Sequence, residues 1–184
     1  MIPFTGQVRT GQYVRGEPHP VGLKNFVLAT SNGIPLDFLL YQGKGKDITS
    51  GKIPVPDNLH IGGHVVLKLS DSLPPGSLIY IDRYFTSVPF LDSLLTHGPI
   101  LAIGTIVANH LPKTVNFKRD LDMKREGTGS FDQVVRSDQK IAAMKWFDNK
   151  PTYVASSAFG VHPTVKFNIG QRKIRFMSEF IGQM

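Results

Sequence analysis

The 184 residues include 41% hydrophobic and 19% charged side chains, a balance that excludes a disordered tail. Cysteine is absent, which rules out disulfide frameworks, Cys-based zinc fingers and thiol nucleophiles; no apolar run approaches the ~20 residues of a membrane span. The net charge of +7 is uneven: residues 1–60 hold 6 basic and 4 acidic side chains, residues 61–108 hold 2 and 3, and residues 109–184 hold 13 and 7.

Met1-Ile2-Pro3-Phe4 has neither the charged start nor the apolar run of a signal peptide, so a soluble protein of a reducing compartment with no membrane partner is expected. Residues 5–22 read as a loop. Residues 23–30 and 34–41 are apolar and flank Ser31-Asn32-Gly33, a strong hairpin signal because Asn and Gly tolerate the positive φ of a tight turn. Gly43-Lys44-Gly45-Lys46 resembles half of a dinucleotide fingerprint. It lacks the third glycine and the strand-to-helix context, and is rejected as a nucleotide site. His64 to Leu69 fits a helix or a strand, and Pro74-Pro75-Gly76 stops it.

Residues 77–81 form a buried-type strand. Thr86 or Ser87 can cap a helix over 88–96, with Pro89 in its first turn and Gly98-Pro99 at its end. Residues 100–107 form another apolar strand. Two apolar strands joined by a short crossover helix belong side by side and parallel in one sheet, so the class is mixed α/β. Beyond this unit, residues 108–127 are polar with alternating charge. Residues 131–136 alternate, and residues 141–147 and 152–159 read as a second hairpin, so 108–160 is a candidate β-rich insertion. Residues 161–184 form a basic, weakly patterned tail.

Asp82 is the side chain of most chemical interest. It follows four apolar strand residues at the carboxyl end of a strand, where α/β sheets place ligands. It either coordinates a cation there, or caps the next helix or pairs with Arg83. His60 and His64 are four apart, but Ile61-Gly62-Gly63 argues against a helix presenting both to a metal. Ser87 and His97 lack a nucleophile elbow. Lys113, Lys118, Arg119, Lys124 and Arg125 could line a phosphate track, which Asp120, Asp122 and Glu126 partly cancel. Trp146 reads as hairpin packing.

Three stretches carry a family resemblance: Gly22-Leu23-Lys24-Asn25-Phe26-Val27-Leu28-Ala29 with its Asn32-Gly33 turn, Tyr80-Ile81-Asp82-Arg83-Tyr84-Phe85-Thr86-Ser87, and Ala102-Ile103-Gly104-Thr105-Ile106. Over roughly residues 1–167 the chain resembles the transposase domain of piggyBac transposable element-derived proteins. The resemblance implies a ribonuclease H-like mixed sheet with an inserted β subdomain. Residues 1–107 would be the N-terminal part of that core, 108–160 the insertion, and 161–184 a divergent tail. It implies DNA as partner, a nuclear location, and strand cleavage and transfer by three aspartates that hold Mg²⁺. Hard carboxylate oxygens suit Mg²⁺, and two cations activate the attacking oxygen and stabilise the leaving one.

Asp82 matches the second of the three aspartates, as catalytic and metal-holding residue. No counterpart of the first or third is found; Asp92, Asp120 and Asp122 do not match, and the tail has only Glu179. The expectation is therefore a fragment of a transposase domain, catalytically incomplete and unable to hold Mg²⁺ tightly alone. A domesticated DNA-binding or chromatin-associated module and a nuclease completed by a partner chain are the alternatives. The first strand of the core would be cut to Met1-Ile2-Pro3-Phe4, leaving the 23–41 hairpin and the 77–107 unit with unpaired edges and the chain marginally stable.

Overall fold

The computed structural model describes residues 2–4, 6, 10–15, 18–43, 48, 51–57 and 59–159, with the backbone of two further strands at 164–169 and 172–177. Near the start, β1 (Ile2–Pro3), β2 (Gln12–Tyr13) and β3 (Val21–Leu23) make a small antiparallel sheet in the order β1-β3-β2. The sequence reading has only a loop over 5–22, because strands of two or three residues are too short to show a period. The glycine-lysine loop beginning at Gly43 lies largely outside the described residues.

The expected hairpin is present as β4 (Asn25–Ala29) and β5 (Pro35–Leu40), paired from Asn25↔Leu40 to Ala29↔Pro35. Gly33 takes φ 82°, and its N–H donates to the Thr30 carbonyl at 2.9 Å. One face of the hairpin turns Phe26, Leu28 and Leu39 toward Val65 and Leu69. The other leaves Val27, Leu36 and Phe38 exposed.

Between helix and strand for His64 to Leu69, the structure chooses helix: α1 spans Ile61–Ser70. The two glycines do not break it, contrary to the sequence argument. Its first turn is capped by His60, whose Nδ1 accepts the Gly62 N–H at 3.1 Å, and its apolar side is fixed by tertiary packing, which overrides propensity.

Next come β6 (Leu78–Ile81), α2 (Val88–His97) and β7 (Leu101–Thr105). Ser87 caps α2 by accepting the Phe90 N–H at 3.4 Å, and Pro89 sits where its missing N–H does no harm. Phe90, Leu91 and Leu94 are fully buried against Val66, Leu67, Ile79 and Ala102. As expected, β6 and β7 are parallel, from Leu78↔Leu101 to Ile81↔Gly104.

A 3-10 turn (Ala108–His110) and α3 (Asp120–Glu126) follow. α3 is absent from the sequence reading, since its seven residues offer one buried apolar side chain, Met123, and no stripe. Then β8 (Ser130–Val135), β9 (Ala142–Phe147) and β10 (Pro151–Ser156) form an antiparallel meander. β10 also pairs antiparallel with β7, giving one mixed five-stranded sheet in the order β6-β7-β10-β9-β8. In the tail, β11 (Thr164–Ile169) and β12 (Arg172–Met177) pair with each other; the sequence reading has no strands there.

Two strands are open on one side. β4 pairs only with β5, and β6 pairs only with β7, so each presents one unpaired edge among the described residues. Both line the same groove of about 700 Å³, with Phe26 and Leu28 on one wall, Ile79 and Ile81 on the other, and Val65 and Leu69 between them.

Candidate active site

Asp82 is the first residue after β6 and lines that groove. Its carboxylate is exposed, but its backbone is not free to move. The Asp82 carbonyl accepts the Phe85 N–H at 2.9 Å and the Thr86 hydroxyl at 3.0 Å. Oδ1 accepts the Tyr84 N–H at 3.0 Å, a side-chain turn that aspartate forms readily. The carboxylate therefore caps its own turn; α2 is capped by Ser87, and Asp82 makes no ion pair with Arg83.

Two glycines hold the loop from either side. A Cβ on Gly104 would stand 2.5 Å from both the Ile81 carbonyl oxygen and Thr86 Oγ1, and one on Gly62 would stand 2.6 Å from the Tyr84 carbonyl oxygen. β7 and the start of α1 thus approach the loop by a distance only glycine permits. Thr86 is fully buried between them.

Beside the loop lies a group of rings that the sequence does not bring together. Tyr84 packs edge-on against Phe85 (centroids 5.1 Å apart) and against His60 (6.0 Å). His60 in turn lies 5.4 Å from His110, whose Nδ1 is 3.3 Å from the Thr86 carbonyl oxygen. His60 is held below its usual pKa, first by burial and then by His110 and His64. Its Nδ1 accepts from Gly62, so the neutral ring carries its proton on Nε2, which is buried with no partner. On the far side of Tyr84, the Lys24 ammonium lies 4.6 Å from the Tyr84 ring, 4.8 Å from Phe26 and 5.8 Å from Tyr41. Spacing gives no sign of this cluster, because Lys24 and Tyr84 are 60 residues apart.

The other candidates are spread out. His64 bonds the Leu59 carbonyl through Nε2 at 2.9 Å. Ser87 and His97 sit at opposite ends of α2. Asp92 pairs with Arg136 at 2.7 Å, Asp120 with the buried Lys145 at 2.6 Å, and Asp122 with Arg119 at 2.9 Å. Lys118 is bound to Glu126 at 2.8 Å, so much of the phosphate track is neutralised within its own segment. Trp146 faces Phe131 across the β8–β9 ladder.

The donor set does not fit a pair of divalent cations. Hard cations of this kind take several oxygen ligands, and among the described residues no three His, Cys, Asp or Glu side chains converge on one point. Asp82 offers one carboxylate, and the nearby histidines spend ring nitrogens on the backbone.

A family model described as "Transposase IS4" matches residues 1–178, past the position near Phe167 where the sequence reading ends the resemblance. The chain is 31% identical over 167 residues to human PiggyBac transposable element-derived protein 3, covering 89% of this chain and 27% of that protein. It is 29% identical over 168 residues to human PiggyBac transposable element-derived protein 2, with the same coverage. It therefore spans about a quarter of the length of these relatives. A cryo-EM structure of a piggyBac transposase synaptic complex with hairpin DNA superposes with a TM-score of 0.64 at 20% identity, over 84% of this chain and 30% of that one, a likeness of fold.

Proposed function

The chain belongs to the piggyBac family of transposase domains, and from this premise we propose that it is the part of a ribonuclease H-like strand-transfer core that carries the second metal-holding aspartate, Asp82. The position of Asp82 carries the reading: an exposed carboxylate, its loop clamped by two glycines, at the carboxyl end of β6 and in the lining of the groove. Mg²⁺ would supply charge stabilisation at a transferring DNA phosphate. Because the described donors do not fit two such cations, we take the chain by itself to be catalytically incomplete.

The groove supports the ribonuclease H-like part of the reading. β1 runs antiparallel to β3, with Ile2 opposite Leu23 and Pro3 opposite Gly22. A strand laid in the groove would pair the free edges of β4 and β6 at once and join the hairpin to the larger sheet. In this arrangement β8, β9 and β10 are the inserted β segment, grown onto the edge of β7. DNA is the partner and the nucleus the location that this role requires.

The test is a strand-cleavage and strand-transfer assay on the whole chain with Mg²⁺ or Mn²⁺. No turnover is expected. Activity that disappears in Asp82→Ala would overturn catalytic incompleteness. A non-catalytic DNA-binding or chromatin-associated module is the second reading, and it rests on the excess of 13 basic over 7 acidic side chains in residues 109–184. A steeply salt-dependent shift with duplex DNA, without cleavage, would favour it.

A further inference from the structure

Lys24 is a half-buried cation with an unusual set of neighbours. Its ammonium lies over three aromatic rings and has one hydrogen-bond partner, the Tyr84 hydroxyl, at a long 3.4 Å. No described carboxylate pairs with it. An ammonium has three donors, so at least two meet no acceptor among the described residues. Aromatic faces stabilise the charge and leave those donors available. The Tyr84 hydroxyl belongs to a side chain 43% exposed.

Tyr84 ties this cation to Asp82. Its backbone N–H holds Asp82 Oδ1 at 3.0 Å, and its ring and hydroxyl hold Lys24. A lone carboxylate and a lone ammonium therefore stand at the two ends of one residue. Further along, the surroundings of Tyr84 are the His60 and His110 rings, and no acid among the described residues pairs with either.

We propose that Lys24, with the Tyr84 hydroxyl, forms a subsite for a phosphodiester oxygen beside Asp82. It rests on the strand-transfer reading and deepens it, making Lys24 the residue that positions the nucleic-acid backbone next to the phosphate addressed by Asp82. The rings keep the ammonium extended and pre-oriented, so little side-chain freedom is lost when the oxygen arrives.

The experiment is an NMR titration of the full chain with thymidylyl-thymidine, a single phosphodiester, followed at the Lys24 side chain and the Tyr84 ring. Saturable shifts at both are expected. Lys24→Met, which keeps the alkyl contact with the rings, should weaken binding about tenfold or more, the loss of one charge-assisted hydrogen bond. Lys24→Arg should restore it, and Tyr84→Phe, which keeps the ring stack, should weaken it less. No shift in the wild-type chain, or unchanged shifts in Lys24→Met, overturns the proposal. The Asp82 reading is tested apart from these shifts, by the strand-cleavage assay with Mg²⁺ or Mn²⁺, so the two can fail separately.

Discussion

Asp82 is held by its neighbours as well as by its own hydrogen bonds. Gly104 and Gly62 let two elements close on its loop, and Thr86 fills the space between them. Gly104→Ala forces a methyl against a carbonyl and a buried hydroxyl, and overpacking of this kind costs about 1–3 kcal/mol. The Phe85 amide, bonded to the Asp82 carbonyl, should then exchange its hydrogen about tenfold faster or more; unchanged protection would show the loop to be held by something else. His60 adds a pH dependence. Burial, His110 and His64 lower its pKa from the ordinary 6.5, so protonation favours the unfolded chain. Its contribution is complete above pH 6.5 and declines as the pH falls below it. In His60→Asn, which retains a capping side chain, the apparent melting midpoint should fall less between neutral and mildly acid pH than in the wild type.

Among the elements, Arg136 connects the core to the β8–β10 meander. It reaches Asp92 on α2 at 2.7 Å and Asp138 in the β8–β9 connection at 2.5 Å. Arg136 holds the Asp138 carboxyl down at about 2. This contribution is present above the ordinary carboxylate value of 3.8 and is lost as the pH falls through about 2. Arg136→Met should remove that acid-dependent part and raise hydrogen exchange around 136–141 at neutral pH; identical exchange would show the link to be idle. The elements legible in the sequence were those with a period or a punctuation mark: the Asn32-Gly33 hairpin, the β6–α2–β7 crossover with its Ser87 cap, and the β9–β10 hairpin. α1 was ambiguous because Gly62 and Gly63 look like breakers until Tyr84 is seen against them. α3 has one buried apolar residue, and β1 to β3 are too short to carry a pattern. Asp82 was visible as an acid ending an apolar run. Lys24, Tyr84, His60 and His110 were not, because the fold alone joins them.

At the scale of the molecule, the outer face of the hairpin and the free edge of β6 are both uncovered among the described residues. Phe38 is 67% exposed, Tyr80 75%, Leu36 54% and Val27 51%. Contiguous apolar surface beside unpaired strand edges drives association. The chain should sediment as oligomers or aggregates, and a Phe38→Lys, Tyr80→Lys double variant should shift it toward monomer. A wild-type monomer with a cooperative, reversible melt would contradict this. Metal binding is the property on which the proposed reading turns: among the described residues no group of three metal-ligating side chains includes Asp82. Calorimetric titration of the whole chain with Mn²⁺, alongside Asp82→Asn, tests this most directly. Indistinguishable, non-saturating heats are expected for the two proteins; a saturable site in the wild type that vanishes in Asp82→Asn would contradict it.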